Sequence, residues 1–419
     1  MVFEKRRINQ ISMKSKIENI RSPKILVTGI LGQDGSNMCE YLLRNPKHKV
    51  FGMIRRLSNP NYSNCESFLD HPNFQLVYGD LTDEISLYKL VQEIQPDYFI
   101  NFAANSFVGI SWDMPLHVFD VNTSGVIRCL EAIKKHQPNC RFYSAGSSEQ
   151  FGDVDYSPQD IKHPMKPRSP YGASKCAAHH IVKVYRESYG IYAVHGILFN
   201  HEGTRRGEEF VTRKISKGVA RIHHALASGK SFKPIELGNI YSKRDWSDSE
   251  DFVEGVWLML NQDEFIEKTD KFNKEFKERW EAFKNAGCAL GGGDVEIFAE
   301  EIVIENIKDY VLASGETHTI KEFVQKAFRA AGITGSWTEI ETEPTATKYY
   351  NNSDRTETLV KINTDFYRPA EVQLLLGDAS PIMKDLGWKP KSTFDSLVGK
   401  MVAYDLELFN EEVKEKGGE

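Results

Sequence analysis

Tyr171 and Lys175 stand four residues apart in SPYGASK (169–175). On a helix that spacing places both side chains on one face. A phenol with a pKa of about 10 is a poor base near neutrality. A neighbouring ammonium favours the phenolate and brings it toward a useful range. A second set lies upstream in SAGSSEQFGD (144–153), where Ser147 and Glu149 follow what reads as the end of a buried strand. Glutamate is seldom fully buried without a partner. Glu149 therefore either points to water or handles protons.

A third set could hold an anion. In VTGILGQDGSNMCEYLL (27–43), Gly29, Gly32 and Gly35 form GxxGxxG directly after a strand pattern and at the mouth of a helix, with Gln33 and Asp34 between them. Glycines permit the tight turn, let backbone approach a pyrophosphate and leave the helix N-terminus facing it. The next strand ends in GMIRRLSNPNY (52–62), so Arg55 and Arg56 occupy the place where an acid would hold the ribose 2′-hydroxyl of NAD. A guanidinium fork suits a 2′-phosphate, which favours NADP; a solvated basic turn is the competing reading. Asp80 and Leu81 fit the adenine edge, and Ala103, Ala104 and Ser106 of FAANS (102–106) lie where the chain passes the nicotinamide ribose. His179 and His180 read as packing or surface residues, and no His, Cys and carboxylate set has metal-ligand spacing.

The elements that must position these groups alternate. KILVTGI (24–30), KVFGMIR (49–55), FQLVYGD (74–80), YFINFAA (98–104), RFYSAGS (141–147) and YAVHGILF (192–199) are nearly continuous apolar runs, as expected of strands buried on both faces of a parallel sheet. Helical spacing lies between them, as at 86–94 and 124–136, so the fold class is α/β, a doubly wound parallel sheet with a smaller α/β domain. The expected division is a basic, frayed extension (1–23), a dinucleotide domain (24–200 and 237–261), a substrate domain (201–236 and 309–419) and a helical insertion (262–308). In that insertion Phe265, Phe272, Phe276, Trp280 and Phe283 mark one helical face, read as a packing face, and GGG (291–293) a turn.

Bulk properties narrow the partners. A net charge of −6 gives no electrostatic footprint for nucleic acid. Cys39, Cys65, Cys129, Cys140, Cys176 and Cys288 contain no CxxC pair and read as free thiols of a reducing compartment. No apolar run approaches membrane-spanning length and the N-terminal residues lack a signal-peptide core, so a soluble cytoplasmic protein is expected.

The glycine loop, Ser147 and the YxxxK pair together resemble the extended short-chain dehydrogenase/reductase superfamily, which has a Rossmann fold. The resemblance implies that Ser147, Tyr171 and Lys175 move a hydride between a sugar carbon and the nicotinamide. Glu149 then gains a meaning, because dehydratases of this superfamily need a base at C5 and an acid at C6. Decarboxylases of the superfamily also carry a glutamate there. FNHEGTRRGEEFVTRKI (199–215), LGNIYSKRDWSDSEDFVEGVWLML (237–260) and FYRPAEVQLLLGDASPIMKDLGWKP (366–390) are similar to the GDP-mannose 4,6-dehydratase family over about 24–261 and 309–408. That resemblance implies conversion of GDP-mannose to GDP-4-keto-6-deoxymannose and water, by internal hydride transfer from C4 to C6 through bound NADP. It implies that His201 and Arg206 help enclose NADP and that Asn200, Lys214, Arg244, Arg368 and Glu371 bind GDP. Ser147 stands where the family usually has threonine. Gly203-Thr204 stands where it usually has Ser-Pro, which leaves a GDP-manno-heptose as an alternative substrate. A GDP-sugar reductase or epimerase and a silent NADP-binding protein are the other readings. RRLSNPNYSNCESF (55–68) resembles a loop that the family packs across a subunit interface, implying a homodimer or homotetramer.

Overall fold

The computed structural model describes residues 22–285, 294–338, 344–354, 357–367 and 374–417. The extension to residue 21, the GGG turn, Cys288, Arg368 and Glu371 lie outside the described residues.

β1 (Lys24–Thr28), β2 (Lys49–Ile54), β3 (Phe74–Tyr78), β4 (Tyr98–Asn101), β5 (Arg141–Ala145) and β6 (Ala193–Leu198) match the six apolar runs. Together with Tyr310–Leu312 they form one seven-stranded parallel sheet, in the order Tyr310–Leu312, β6, β5, β4, β1, β2, β3. Alternation along each strand explains the continuous apolar character. Ile25 and Val27 of β1, and Tyr98 and Ile100 of β4, enter the core on one face. Leu26 and Phe99 enter the core on the other. The first core is closed by helices Gln33–Leu43 and Ser249–Met259, the second by Glu84–Ile94, Gly125–His136 and Pro170–Tyr189. β3 departs from the expected two-sided burial: it is the sheet edge, and Tyr78 is exposed.

A second unit holds a four-stranded sheet in the order Gly335–Thr338, Lys348–Asn351, Thr358–Ile362, Ile235–Leu237. Helices Val211–Ala227, Ile320–Ala330 and Phe394–Gly417 pack with it around Ile215, Phe323, Tyr349, Val360 and Met401.

Two stretches fall elsewhere than the expected division. Tyr310–Leu312, assigned to the second unit, is a strand of the large sheet, and Leu375, Ile382 and Trp388 join its core. A three-residue strand after a helical segment carries too little periodicity to be read locally.

Within 262–308 the described residues include helices Asp263–Ile266, Asp270–Asn285 and Asp294–Asn306. Phe272 is buried, Phe265 and Phe276 pack on the large core, and the Phe272, Phe276 and Trp280 rings stack in succession. Asp263, at the start of the segment, is forked by Arg141 at 2.9 and 2.8 Å. These contacts are those of a packing face.

Candidate active site

β1 pairs with both β2 and β4, so the strand order reverses at its carboxyl end, where ligands of such sheets bind. A cavity of about 1130 Å³ opens there, between the sheet and the second unit. Gly29 ends β1 with φ +72°, two residues earlier than the apolar run suggested, and a Cβ on it would lie 2.8 Å from Ala103 N. A Cβ on Gly35 would lie 2.4 Å from Gly29 O. Both contacts exclude any side chain and draw the loop tightly over the helix start. Gly32 caps Gln33–Leu43 without a side-chain hydrogen bond, so the first N–H groups of that helix are left for an anion at the cavity wall.

Asp34 sits in that first turn, where a bare carboxylate would repel a phosphate. His201 answers it, with Nε2 3.0 Å from Asp34 Oδ2 while Nδ1 donates to Phe199 O at 2.7 Å. Burial pushes the imidazole toward the neutral form, but the Asp34 charge and hydrogen bond prevail and raise its pKa. Burial likewise pushes Asp34 up, and His201 more than offsets it, leaving the carboxyl below its ordinary value.

The four residues expected to handle protons come together on the turn after β5 and the start of helix Pro170–Tyr189. Ser147 caps the short turn Ser148–Gln150, accepting Glu149 N–H at 3.3 Å, which puts Ser147 and Glu149 on the cavity wall. Tyr171 and Lys175 open from the first turns of Pro170–Tyr189, capped by Ser169, and reach the same wall. The Lys175 ammonium lies 5.9 Å from the Tyr171 ring centre and donates to Ala145 O at 2.7 Å. Burial pushes the Tyr171 phenol up to about 12, opposed by a hydrogen bond with Ser147 and reinforced by the Glu149 charge. Burial also lowers the Lys175 ammonium to about 8.

Gln33, Arg55, Asp80, Leu81, Ala103, Ala104, Ser106, Asn200, Arg206, Lys214 and Arg244 also line the cavity. Arg56 does not: it is exposed and off the wall, because successive side chains leaving a strand point to opposite sides. The Arg206 guanidinium lies 3.5 Å over the Phe210 ring, and the Lys214 ammonium 3.7 Å over that of Phe366. Asn200 Oδ1 and Gln33 Oε1 are buried without a hydrogen-bond partner among the described residues. Orphaned acceptors, a helix start with no side-chain cap and a glycine-drawn loop fit a dinucleotide. Among the described residues no group of three or more His, Cys, Asp or Glu could hold a metal ion, and no helix is long and apolar enough to cross a membrane. His179 and His180 stack as rings away from the wall.

Sequence reasoning missed Phe107, Phe210 and Arg205. Phe107 meets Phe210 edge-on at 6.2 Å, and both line the cavity. Arg205 reaches back to Asn37 Oδ1 at 2.8 Å and Glu40 Oε2 at 2.8 Å. No local signal marks contacts across such sequence distances.

Fold and site define a doubly wound α/β protein with a glycine loop and a polar cavity at the point where its strand order reverses. A dTDP-glucose 4,6-dehydratase of Streptomyces venezuelae, solved with NAD and TYD bound, aligns over 93% of this chain and 98% of its own with a TM-score of 0.68 at 19% identity. RMD of Pseudomonas aeruginosa, solved with NADPH, aligns over 92% and 99% with a TM-score of 0.63 at 19% identity. The chain belongs to the GDP-mannose 4,6 dehydratase family, whose model matches residues 26–290 and 294–401. That match runs through most of the 262–308 segment. GDP-mannose 4,6 dehydratase 1 of Arabidopsis thaliana is 39% identical over 96% of this chain and 95% of its own length. The Homo sapiens GDP-mannose 4,6 dehydratase is 38% identical over 91% of each.

Proposed function

We propose that the protein converts GDP-mannose to GDP-4-keto-6-deoxymannose and water. The observation that carries this reading is Glu149 on one wall with Ser147, Tyr171 and Lys175 in a chain of this family. A bound nicotinamide supplies the hydride acceptor at C4 and the donor at C6, so the reaction is redox-neutral. Gly29, Gly32, Gln33, Asp34 and Gly35 would hold its pyrophosphate side, Asp80 and Leu81 the adenine, and Ala103, Ala104 and Ser106 the ribose. His201 and Arg206 would close over it. Arg55, without Arg56, would take a 2′-phosphate, which makes NADP the preferred form. Asn200, Lys214 and Arg244 would bind GDP, with Arg368 and Glu371 assigned on their sequence motif.

Tyr171 takes the proton of the C4 hydroxyl, and Ser147 hydrogen-bonds that oxygen. A phenol near 12 needs help: the Lys175 ammonium and the positive charge of the ring bound beside it both favour the phenolate. With C4 a ketone, the C5 proton is acidic. Glu149 removes it and returns a proton to the C6 oxygen, which leaves as water; once C6 is reduced, C5 takes back a proton that has exchanged with solvent. We place the chain in the cytoplasm as a homodimer or homotetramer, to be read by sedimentation.

The test is turnover of GDP-mannose in D₂O followed by NMR. The wild type should give a C6 methyl group with deuterium at C5, and Glu149→Gln should slow that signal by at least about 100-fold. Full turnover by the variant would remove Glu149 from the chemistry, and a product isomeric with the substrate would replace the dehydratase reading.

A further inference from the structure

Beneath the Ser147–Glu149 turn lies a buried polar array that the chemistry above does not use. Gln150 Oε1 accepts the Ser147 backbone N–H at 2.9 Å and lies 3.0 Å from His195 Nε2, while Gln150 Nε2 faces the Met165 sulfur at 3.7 Å. Gln150 and His195 are both fully buried. A Cβ on Gly146 would lie 2.3 Å from His195 Nε2 and 2.7 Å from Gln150 Oε1, so ring and amide meet in space that only glycine leaves.

An amide oxygen only accepts, so His195 must carry its proton on Nε2. Its Nδ1 has no hydrogen-bond partner among the described residues, and burial drives the ring toward the neutral form. The residue is itself held: the His195 backbone N–H donates to Asp309 Oδ1 at 2.8 Å, and the ring stacks on His179 at 4.9 Å and 13°. Arg186 forks Asp309 at 2.9 and 3.0 Å, and His179 Nε2 lies 3.3 Å from it. The chain of contacts runs from β6 through one amide to the backbone of the turn that presents Ser147 and Glu149.

We propose that His195 is a positioning residue for the dehydration, its Nε2–H fixing the Gln150 amide and thereby the Ser147–Glu149 turn. This rests on the reaction proposed above. Without the Nε2–H donor, Gln150 Oε1 keeps one donor, and the amide can rotate and present its NH₂ to the Ser147 N–H. The turn then loses its anchor, and the Glu149 carboxylate loses its aim at C5. A misplacement of this kind, remote from the reacting atoms, lowers the chemical step more than binding.

Wild-type turnover is established first, so that a failed dehydratase reading shows itself before any variant is made. His195→Phe keeps a ring and removes the donor. It should lower kcat by about 10- to 100-fold with the KM for GDP-mannose changed by less than about threefold. His195→Gln returns a donor N–H near the Nε2 position and should recover most of kcat. Gln150→Met should match His195→Phe, and the double variant should fall no further, since the two act as one unit. Wild-type kcat in folded His195→Phe, or no recovery in His195→Gln, would overturn the proposal. Should the variants not fold, histidine ¹⁵N spectra of the wild type still decide. A neutral Nε2–H tautomer for His195 at neutral pH supports the proposal, and an Nδ1–H tautomer or an imidazolium ends it.

Discussion

The cavity has two unlike walls. On the sheet side, Tyr171, Lys175 and Ser148 are buried, and Ser147 and Lys175 are hydrogen-bonded to neighbouring protein groups. On the side of the second unit, Phe366 and Tyr367 are about half exposed, at 50% and 46%, and Lys214 rests over a ring face. The first wall holds its groups in place before substrate arrives; the second offers surface and charge that a ligand can draw in. Proton transfers need donors and acceptors placed to fractions of an ångström, whereas holding a nucleotide diphosphate tolerates adjustment. Changes to the sheet-side wall should therefore act on kcat, and changes to the other wall on KM.

The largest expected effect is on the buried wall. Tyr171→Phe should lower kcat by about 10²- to 10⁴-fold with GDP-mannose affinity retained, read by steady-state kinetics and calorimetry. Comparable loss of affinity would break the contrast between the walls. On the opposite wall, Lys214→Ala or Arg244→Ala should raise KM by about 10- to 100-fold, the worth of one charge-assisted hydrogen bond, with kcat changed little. Between the walls lies cofactor choice. Arg55→Ala should weaken NADP about tenfold against NAD, while Arg56→Ala should leave the ratio unchanged, as measured by binding of each dinucleotide.

The smallest effect is one of stability. Asp34, with its pKa lowered, contributes stability that is present above its unfolded value of about 4 and lost as pH falls through the folded one. His201, with its pKa raised, contributes stability that is full below about 6.5 and lost as pH rises through the folded value. The pair is therefore worth most between about pH 4 and 6.5. His201→Asn should lower the Tm by about 2 °C in that window, and by less in alkali, by thermal melts across pH.

Much of the architecture was legible because it is local. Six strands announced themselves by nearly continuous apolar runs, and β3 differed in burial only because edge position is not a property of five residues. Tyr171 and Lys175 were readable because i and i+4 share a helical face whatever surrounds them. Arg55 and Arg56 were not separable by type, since only Arg55 lines the cavity and that depends on which side of a strand end each one leaves. The strand Tyr310–Leu312 was missed because its evidence is its pairing with β6, more than a hundred residues earlier.

The sequence by itself determined which chemical groups are present and how they are spaced along single elements: a glycine loop before a helix, a serine and a glutamate after a strand, a tyrosine and a lysine one turn apart. Tertiary structure alone decided which groups meet. Asp34 finds His201, Ser147 finds Gln150 and through it His195, and Lys214 finds Phe366 only after the sheet order and the docking of the second unit are set. The physical reason is that propensity and periodicity act over a few residues, while hydrogen bonds and charge pairs between distant segments depend on strand order and register.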